Sequence, residues 1–203
     1  MTASTAERPL ARPAEHVVAL VGSAGGLRGF VGVLEELPRD LEAAVVVVMH
    51  LQAARPSMLA TILGRSSALP VKQAASGDVL EAGHVYVAPP NVHLLVAADG
   101  SLRLEATPPI HFLRPSADVL LESLAENYAA GCIAVILSGT GTDGAVGAAA
   151  LKASGGTVLA QDEASAEYFG MPGAAIATGA VDRVLGLDGI AAAVLEFVRP
   201  CLS

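Results

Sequence analysis

Three short runs of β-branched and aliphatic residues restrict the architecture most: His16-Val-Val-Ala-Leu-Val-Gly22, Ala44-Val-Val-Val-Val-Met49 and Ile133-Ala-Val-Ile-Leu137. None alternates with polar residues, so each reads as a strand covered on both faces, as in a parallel sheet flanked by helices. In such a sheet ligands bind beyond the carboxyl ends of the strands. Ser23 follows the first run directly and His50 closes the second. Asp143 lies in the Gly-rich loop Ser138-Gly-Thr-Gly-Thr-Asp-Gly144 after the third. A serine, a histidine and an aspartate are the parts of an acyl-transfer triad.

The rest of the chain supports this layout. Helical patterns cover Leu27 to Leu37, Pro56 to Leu63, Ala145 to Ala153 and Leu187 to Val198. A further helix has Pro115 at its first position, Asp118 in its first turn, and Val119, Leu120, Leu124 and Tyr128 at helical spacing. Strands are expected at Thr157 to Gln161 and Val181 to Leu185. Short strands and a hairpin are expected within Val85-Tyr-Val87, Val92 to Val96 and Leu102 to Leu104, with a turn at Asp99-Gly100. The expected fold is therefore α/β: a doubly wound, mostly parallel sheet with helices on both faces and a short β-hairpin insertion. Residues 1–15 read as a flexible tail and residues 16–203 as one domain.

Composition excludes several classes of function. With 53% hydrophobic and 16% charged residues the chain is not disordered. Aromatic residues are 3% and tryptophan is absent, so the core must be packed from Ala, Val and Leu, which favours close helix-on-sheet approach. A formal net charge of -8 argues against nucleic acid as a partner. Cys132 reads as a core thiol and Cys201 as a surface one, with no disulfide between them. The amino terminus lacks the apolar stretch of a signal peptide, and no run is long enough to cross a bilayer. A cytoplasmic protein without direct membrane insertion is the expectation.

Each candidate residue has a competing reading. Gly22-Ser-Ala-Gly-Gly26 could cradle the phosphates of a dinucleotide. That role wants G-x-G-x-x-G and an acidic residue closing the second strand, and Met49-His50 stands there instead. The lipase elbow G-x-S-x-G is also absent, because Val21 occupies its first glycine, and the order Ser, His, Asp differs from that of α/β-hydrolases. His84, His93 and His111 lack metal-ligand spacing, so no metal is assigned. Asp143 could simply cap the helix that follows it.

Six motifs together carry a family resemblance. They are Gly22-Ser-Ala-Gly-Gly26, Met49-His50-Leu51, Val85-Tyr-Val-Ala-Pro-Pro90 with Asn91-Val-His93, Arg114-Pro-Ser-Ala-Asp118, Val135-Ile-Leu-Ser-Gly-Thr-Gly-Thr-Asp-Gly144, and Gln161-Asp-Glu-Ala-Ser165 with Phe169-Gly-Met-Pro172. In this order they resemble the catalytic domain of the CheB-type chemotaxis protein-glutamate methylesterases. The resemblance implies a serine hydrolase that demethylates γ-glutamyl methyl esters on the cytoplasmic helices of methyl-accepting chemoreceptors, with deamidation of receptor glutamines as a related reaction. It maps the triad onto Ser23, His50 and Asp143. Thr140, Gly141, Ala24 and Gly25 then stand at the oxyanion and cleft positions, with Arg114 and Met171 as substrate-cleft candidates. No metal or organic cofactor is implied.

Ala24, Met49, Leu113 and Thr140 depart from residues common in the family, but no triad member is lost. Regulated members carry a receiver domain ahead of the catalytic one. Residues 1–15 are too few to supply it, so a stand-alone catalytic domain with a separate regulatory or receiver protein is expected. Two other readings compete with this one: a non-catalytic signalling module that binds a partner through the same fold, and an esterase for another acyl substrate.

Overall fold

The computed structural model describes residues 13–50 and 57–198. Seven strands form one parallel sheet: β1 (His16–Gly22), β2 (Ala43–Met49), β3 (Val71–Gln73), β4 (Val85–Val87), β7 (Cys132–Ile136), β8 (Thr157–Gln161) and β9 (Arg183–Leu185). Their spatial order is β3-β4-β2-β1-β7-β8-β9. The chain builds outward from β1 in one direction and then returns to build from β7 in the other. The order therefore reverses between β1 and β7, the switch point where open α/β sheets leave a crevice. Two further strands, β5 (His93–Val96) and β6 (Leu102–Glu105), pair antiparallel as a separate hairpin around the Asp99-Gly100 turn.

Alternation within the apolar runs explains the double winding. Val17, Ala19 and Val21 of β1 enter one core with Ala44, Val46 and Val48 of β2. Val18 and Leu20 enter the other with Val45 and Val47. Helices α1 (Gly26–Glu36), α2 (Leu59–Ser66) and α6 (Leu187–Val198) cover the second face. The first face is covered by α3 (Ala117–Asn127), α4 (Ala145–Ala153), α5 (Gly170–Ala177) and the hairpin. Among the described residues no helix is long and apolar enough to cross a membrane. Cys132 is a buried free thiol whose pKa is pushed up by that burial; Cys201 lies outside the described residues.

Several local expectations are corrected. Val85–Val87 belongs to the main sheet rather than to the hairpin, and Val71–Gln73 adds an edge strand that the sequence pattern does not reveal. Pro115 is not the first helical residue, because Ser116 is the N-cap and the helix begins at Ala117. The helix after His50 runs from Leu59 to Ser66; Leu51 and Pro56 lie outside the described residues. Gly170–Ala177 is a helix that the sequence reading did not assign. Its Pro172 falls in the first turn, where a missing N–H costs no helical bond. Ala14, placed in the tail by the sequence, is buried and donates its N–H to Leu80 O at 2.8 Å.

Helices α3 and α4 pack closely and exchange caps. Asp118 Oδ1, in the first turn of α3, accepts the N–H groups of Gly144 (2.9 Å) and Gly147 (2.8 Å) at the start of α4. Asp143, just before α4, accepts from the start of α3 in return. The contact demands glycine at position 147, where a Cβ would lie 2.6 Å from Leu121 Cβ and 2.9 Å from Asp118 O. The backbone oxygen cannot rotate away as a side chain could. Gly147→Ala is expected to destabilise the fold by about 1–3 kcal/mol through overpacking, read as a lower urea midpoint at unchanged m-value.

Candidate active site

The site is assembled on the carboxyl rim beside the switch point. Parallel pairing of β1 and β2 ends with Gly22 opposite Met49. Ser23 and His50 are each the next residue, on strands about 4.8 Å apart. The His50 N–H still donates to Gly22 O at 3.3 Å, which extends the ladder by one step. On the other side the Ser23 N–H donates to Ser138 O at 3.0 Å, beyond the end of β7. Ser23 is therefore held between the ends of its two neighbouring strands, half-buried.

The third group arrives from the loop after β7. His50 Nε2 and Asp143 Oδ2 are 2.6 Å apart, with the His50 side chain 9% exposed and that of Asp143 1%. Asp143 does not cap the helix that follows it, since Gly144 is the N-cap of α4 and has no side-chain bond to offer. Its oxygens instead accept Ala117 N–H at Oδ2 (2.6 Å), and Ser116 Oγ–H (2.6 Å) and Asp118 N–H (3.2 Å) at Oδ1. Long-range capping of α3 thus replaces the local capping that the sequence suggests.

Electrostatics follow from these bonds. Burial by itself raises the Asp143 pKa. Hydrogen bonds from His50, Ser116 and Ala117, together with the charge of the nearby imidazole, outweigh it and hold the carboxyl at about 2. Asp118 moves the opposite way: burial raises its pKa, the Asp143 charge adds to the rise, and the Gly147 and Gly144 N–H groups oppose it. An ionised Asp143 is acceptor only, so the 2.6 Å bond places a proton on Nε2; in the neutral form of the ring this leaves Nδ1 as the acceptor. Ser23 Oγ makes no hydrogen bond among the described residues, so the imidazole–carboxylate leg is closed and the hydroxyl leg is open.

The flanking candidates occupy distinct positions. Thr140 and Gly141 are exposed on the Gly-rich loop, and Ala24 and Gly25 are half-buried between β1 and α1. The N–H groups of Thr140, Ala24 and Gly25 donate to no carbonyl among the described residues. Met171 is fully buried, so it supports the loop from beneath instead of forming an open cleft wall. A Cβ on Gly139 would overlap Met171 Sδ and lie 3.0 Å from Ser23 Cβ, so a larger residue there requires the Met171 side chain to shift. Arg114 is half-buried and tied down at the surface: its guanidinium donates to Asn91 Oδ1 (3.1 and 2.5 Å) and to the carbonyls of Ala106 (3.2 Å) and Thr107 (2.8 Å). These bonds fasten the hairpin exit to the end of β4.

Two supporting residues escaped the sequence reading. Ser116, within the Arg114–Asp118 motif, holds Asp143 through its hydroxyl, and its N–H donates to Nδ1 of the buried His93 at 3.3 Å. A serine directly before a helix beginning Ala-Asp is the only signal that pointed to it. Ser138 ties down the serine loop. Its Oγ donates to Ala24 O (2.9 Å) and accepts Tyr168 N–H (3.0 Å), while its own N–H donates to Gln161 Oε1 (2.9 Å). Among the described residues no group of three or more His, Cys, Asp or Glu side chains could hold a metal ion.

Comparison with known proteins identifies the family. Residues 18–194 match the family model described as CheB methylesterase. The chain is 43% identical over 192 residues to a protein-glutamate methylesterase/protein-glutamine glutaminase of Geobacillus kaustophilus, covering 93% of this chain and 55% of that protein. It is 39% identical over 189 residues to the protein-glutamate methylesterase FrzG of Myxococcus xanthus, covering 93% and 57%. The chain thus spans a little over half the length of these relatives. The crystal structure of the Thermotoga maritima CheB methylesterase catalytic domain superposes with a TM-score of 0.86 at 37% identity, covering 90% of this chain and 98% of that one. This chain belongs to the CheB methylesterase family.

Proposed function

We propose that this chain is a serine hydrolase that demethylates γ-glutamyl methyl esters on chemoreceptor helices. The observation that carries the reading is the 2.6 Å bond between His50 Nε2 and a buried, ionised Asp143, one strand away from Ser23. In this mechanism Ser23 Oγ attacks the ester carbonyl while His50 Nδ1 takes the hydroxyl proton. Asp143 fixes the tautomer and stabilises the imidazolium. The unspent N–H groups of Thr140 and Ala24 are the donors for the oxyanion, each worth on the order of 10²–10³ in rate. The tetrahedral intermediate collapses, methanol leaves with the proton from His50, and an acyl-enzyme remains on Ser23. Water then attacks with His50 again as base, releasing glutamate and restoring the hydroxyl. No step calls for a metal or an organic cofactor.

Deamidation of a receptor glutamine follows the same path with ammonia as the leaving group. Control by a separate receiver or regulatory protein belongs to the same proposal. The competing reading, a partner-binding module without catalysis, leaves the fourfold bonding of Asp143 and the open Ser23 hydroxyl without a purpose.

Methanol release from purified methylated receptor fragments tests the assignment. Ser23→Ala is expected to lower turnover by roughly 10⁴–10⁶ while leaving thermal unfolding unchanged; retention of activity would refute the mechanism. Asp143→Asn is expected to cost on the order of 10⁴ in kcat through the wrong imidazole tautomer. Asp143 also has a signature in stability against pH. Its folded pKa of about 2 lies below the unfolded value of about 3.9, so protons bind the unfolded chain more readily. Its contribution is complete above about pH 4 and is lost as pH falls through about 2. The stability gap between wild type and Asp143→Asn should therefore narrow over that window in urea titrations.

A further inference from the structure

Exposed large hydrophobic side chains are unevenly distributed over this molecule. Among the described residues they are Met58, Ile62, Ile110, Phe112, Val146 and Tyr168, with Val184 apart from the rest on the edge strand β9. The first six sit on segments that leave the carboxyl rim. Met58 and Ile62 begin the helix after His50, and Val146 lies in the first turn of α4, three residues after Asp143. The carbonyl of Tyr168 accepts the N–H of Gly139. Ile110 and Phe112 belong to the turn before Arg114, whose carbonyl accepts the N–H of Asn91 beyond β4. Six of the seven exposed apolar groups are thus carried on segments that adjoin the carboxyl ends of the strands.

Phe112 is the extreme case. It is 100% exposed. Ile110 and Leu113 exchange both backbone hydrogen bonds, at 3.1 and 2.8 Å, and close a two-residue turn around His111 and Phe112. Both central residues have positive φ, 48° and 67°. That is the sign pattern of a type I′ turn, which Asn-Gly satisfies without strain. A histidine and a phenylalanine each carry a steric cost there. Folding gains nothing in return, because the ring buries no surface. A strained turn that holds an aromatic ring wholly in water beside a reactive rim has its compensation in binding.

We propose that Phe112 is a specificity-determining residue that seats on the apolar stripe of the helical segment bearing the glutamyl ester, with the neighbouring rim hydrophobics flanking it. The inference rests on the methylesterase reading, in which the reacting group is attached to a protein rather than to a small molecule. Ser116 lies four positions after Phe112, at most about 14 Å of chain, and Ser116 Oγ bonds Asp143. An α-helix advances about 5.4 Å per turn. One helix lying across the rim can therefore offer its ester to Ser23 and an apolar side chain to Phe112 a few turns away.

The test measures binding of a labelled, methylated receptor-helix fragment by fluorescence anisotropy in the Ser23→Ala background, where the ester survives. Adding Phe112→Ser should raise Kd about tenfold or more, as loss of an aromatic anchor does, and Phe112→Leu should recover most of the affinity. In the Ser23 protein, Phe112→Ser should raise KM for methanol release at unchanged kcat. Phe112→Gly should unfold at or above the wild-type Tm, because glycine relieves the turn. Unchanged Kd and KM in Phe112→Ser would overturn the proposal. So would a Tm loss of several degrees with Kd intact, which gives the ring a structural role. A change in sedimentation with Kd intact would overturn it in favour of self-association. Fragment binding that depends on Phe112 without methanol release by wild type would sink the esterase reading and leave the docking residue standing.

Discussion

Everything at the rim depends on how one buried carboxylate is satisfied. Asp143 has four lone-pair directions and four donors: the His50 imidazole and the Ala117 N–H on one oxygen, the Ser116 hydroxyl and the Asp118 N–H on the other. An uncompensated charge in that position would cost several kcal/mol. Fully bonded, the same charge serves as a joint between the sheet, the start of α3 and the loop leading to α4. The reciprocal bonds from Asp118 to Gly144 and Gly147 make the joint double. Helix packing and imidazole orientation are consequently one problem with one solution.

The sheet supplies the other half of the geometry. Reversal of strand order between β1 and β7 opens a crevice, and the residues just beyond those strands border it. Ser23 is fixed there through the backbone and through Ser138, which spends its oxygen, its hydroxyl and its N–H on the serine loop and its surroundings. Gly139 lets that loop pass close to both Ser23 and Met171, whose thioether would have to move for a larger residue. The proposed nucleophile is thus held by main-chain bonds and close packing, while its own hydroxyl makes no hydrogen bond among the described residues.

What could be read from the chain follows the range of the interactions. The strands β1, β2 and β7 are legible because burial on both faces leaves unbroken apolar runs, and the placement of Ser23 next to His50 follows from parallel neighbours in register. Short edge elements are less legible. Val71–Gln73 has only three residues, two of them polar, and Gly170–Ala177 contains a proline and two glycines that local propensity counts against it. The partners of Asp143 were hidden for a different reason. A local rule pairs an aspartate with the helix just after it, whereas its real donors lie 25–27 positions earlier in α3 and its N-cap and 93 positions earlier at His50. Arg114 shows the same limit, since its bonds to Asn91, Ala106 and Thr107 depend on where the hairpin returns.

The separation between His50 and Asp143 also orders events in time. Hydroxyl and imidazole come from one strand–helix–strand unit, which leaves the ribosome before the carboxylate does and pairs through contacts close in sequence. The carboxylate emerges more than ninety residues later and reaches its place only when α3 and α4 have docked. Under the proposed mechanism, a growing chain therefore carries its base and its hydroxyl without the carboxylate that orients them, and stays chemically silent until the second half of the sheet has closed.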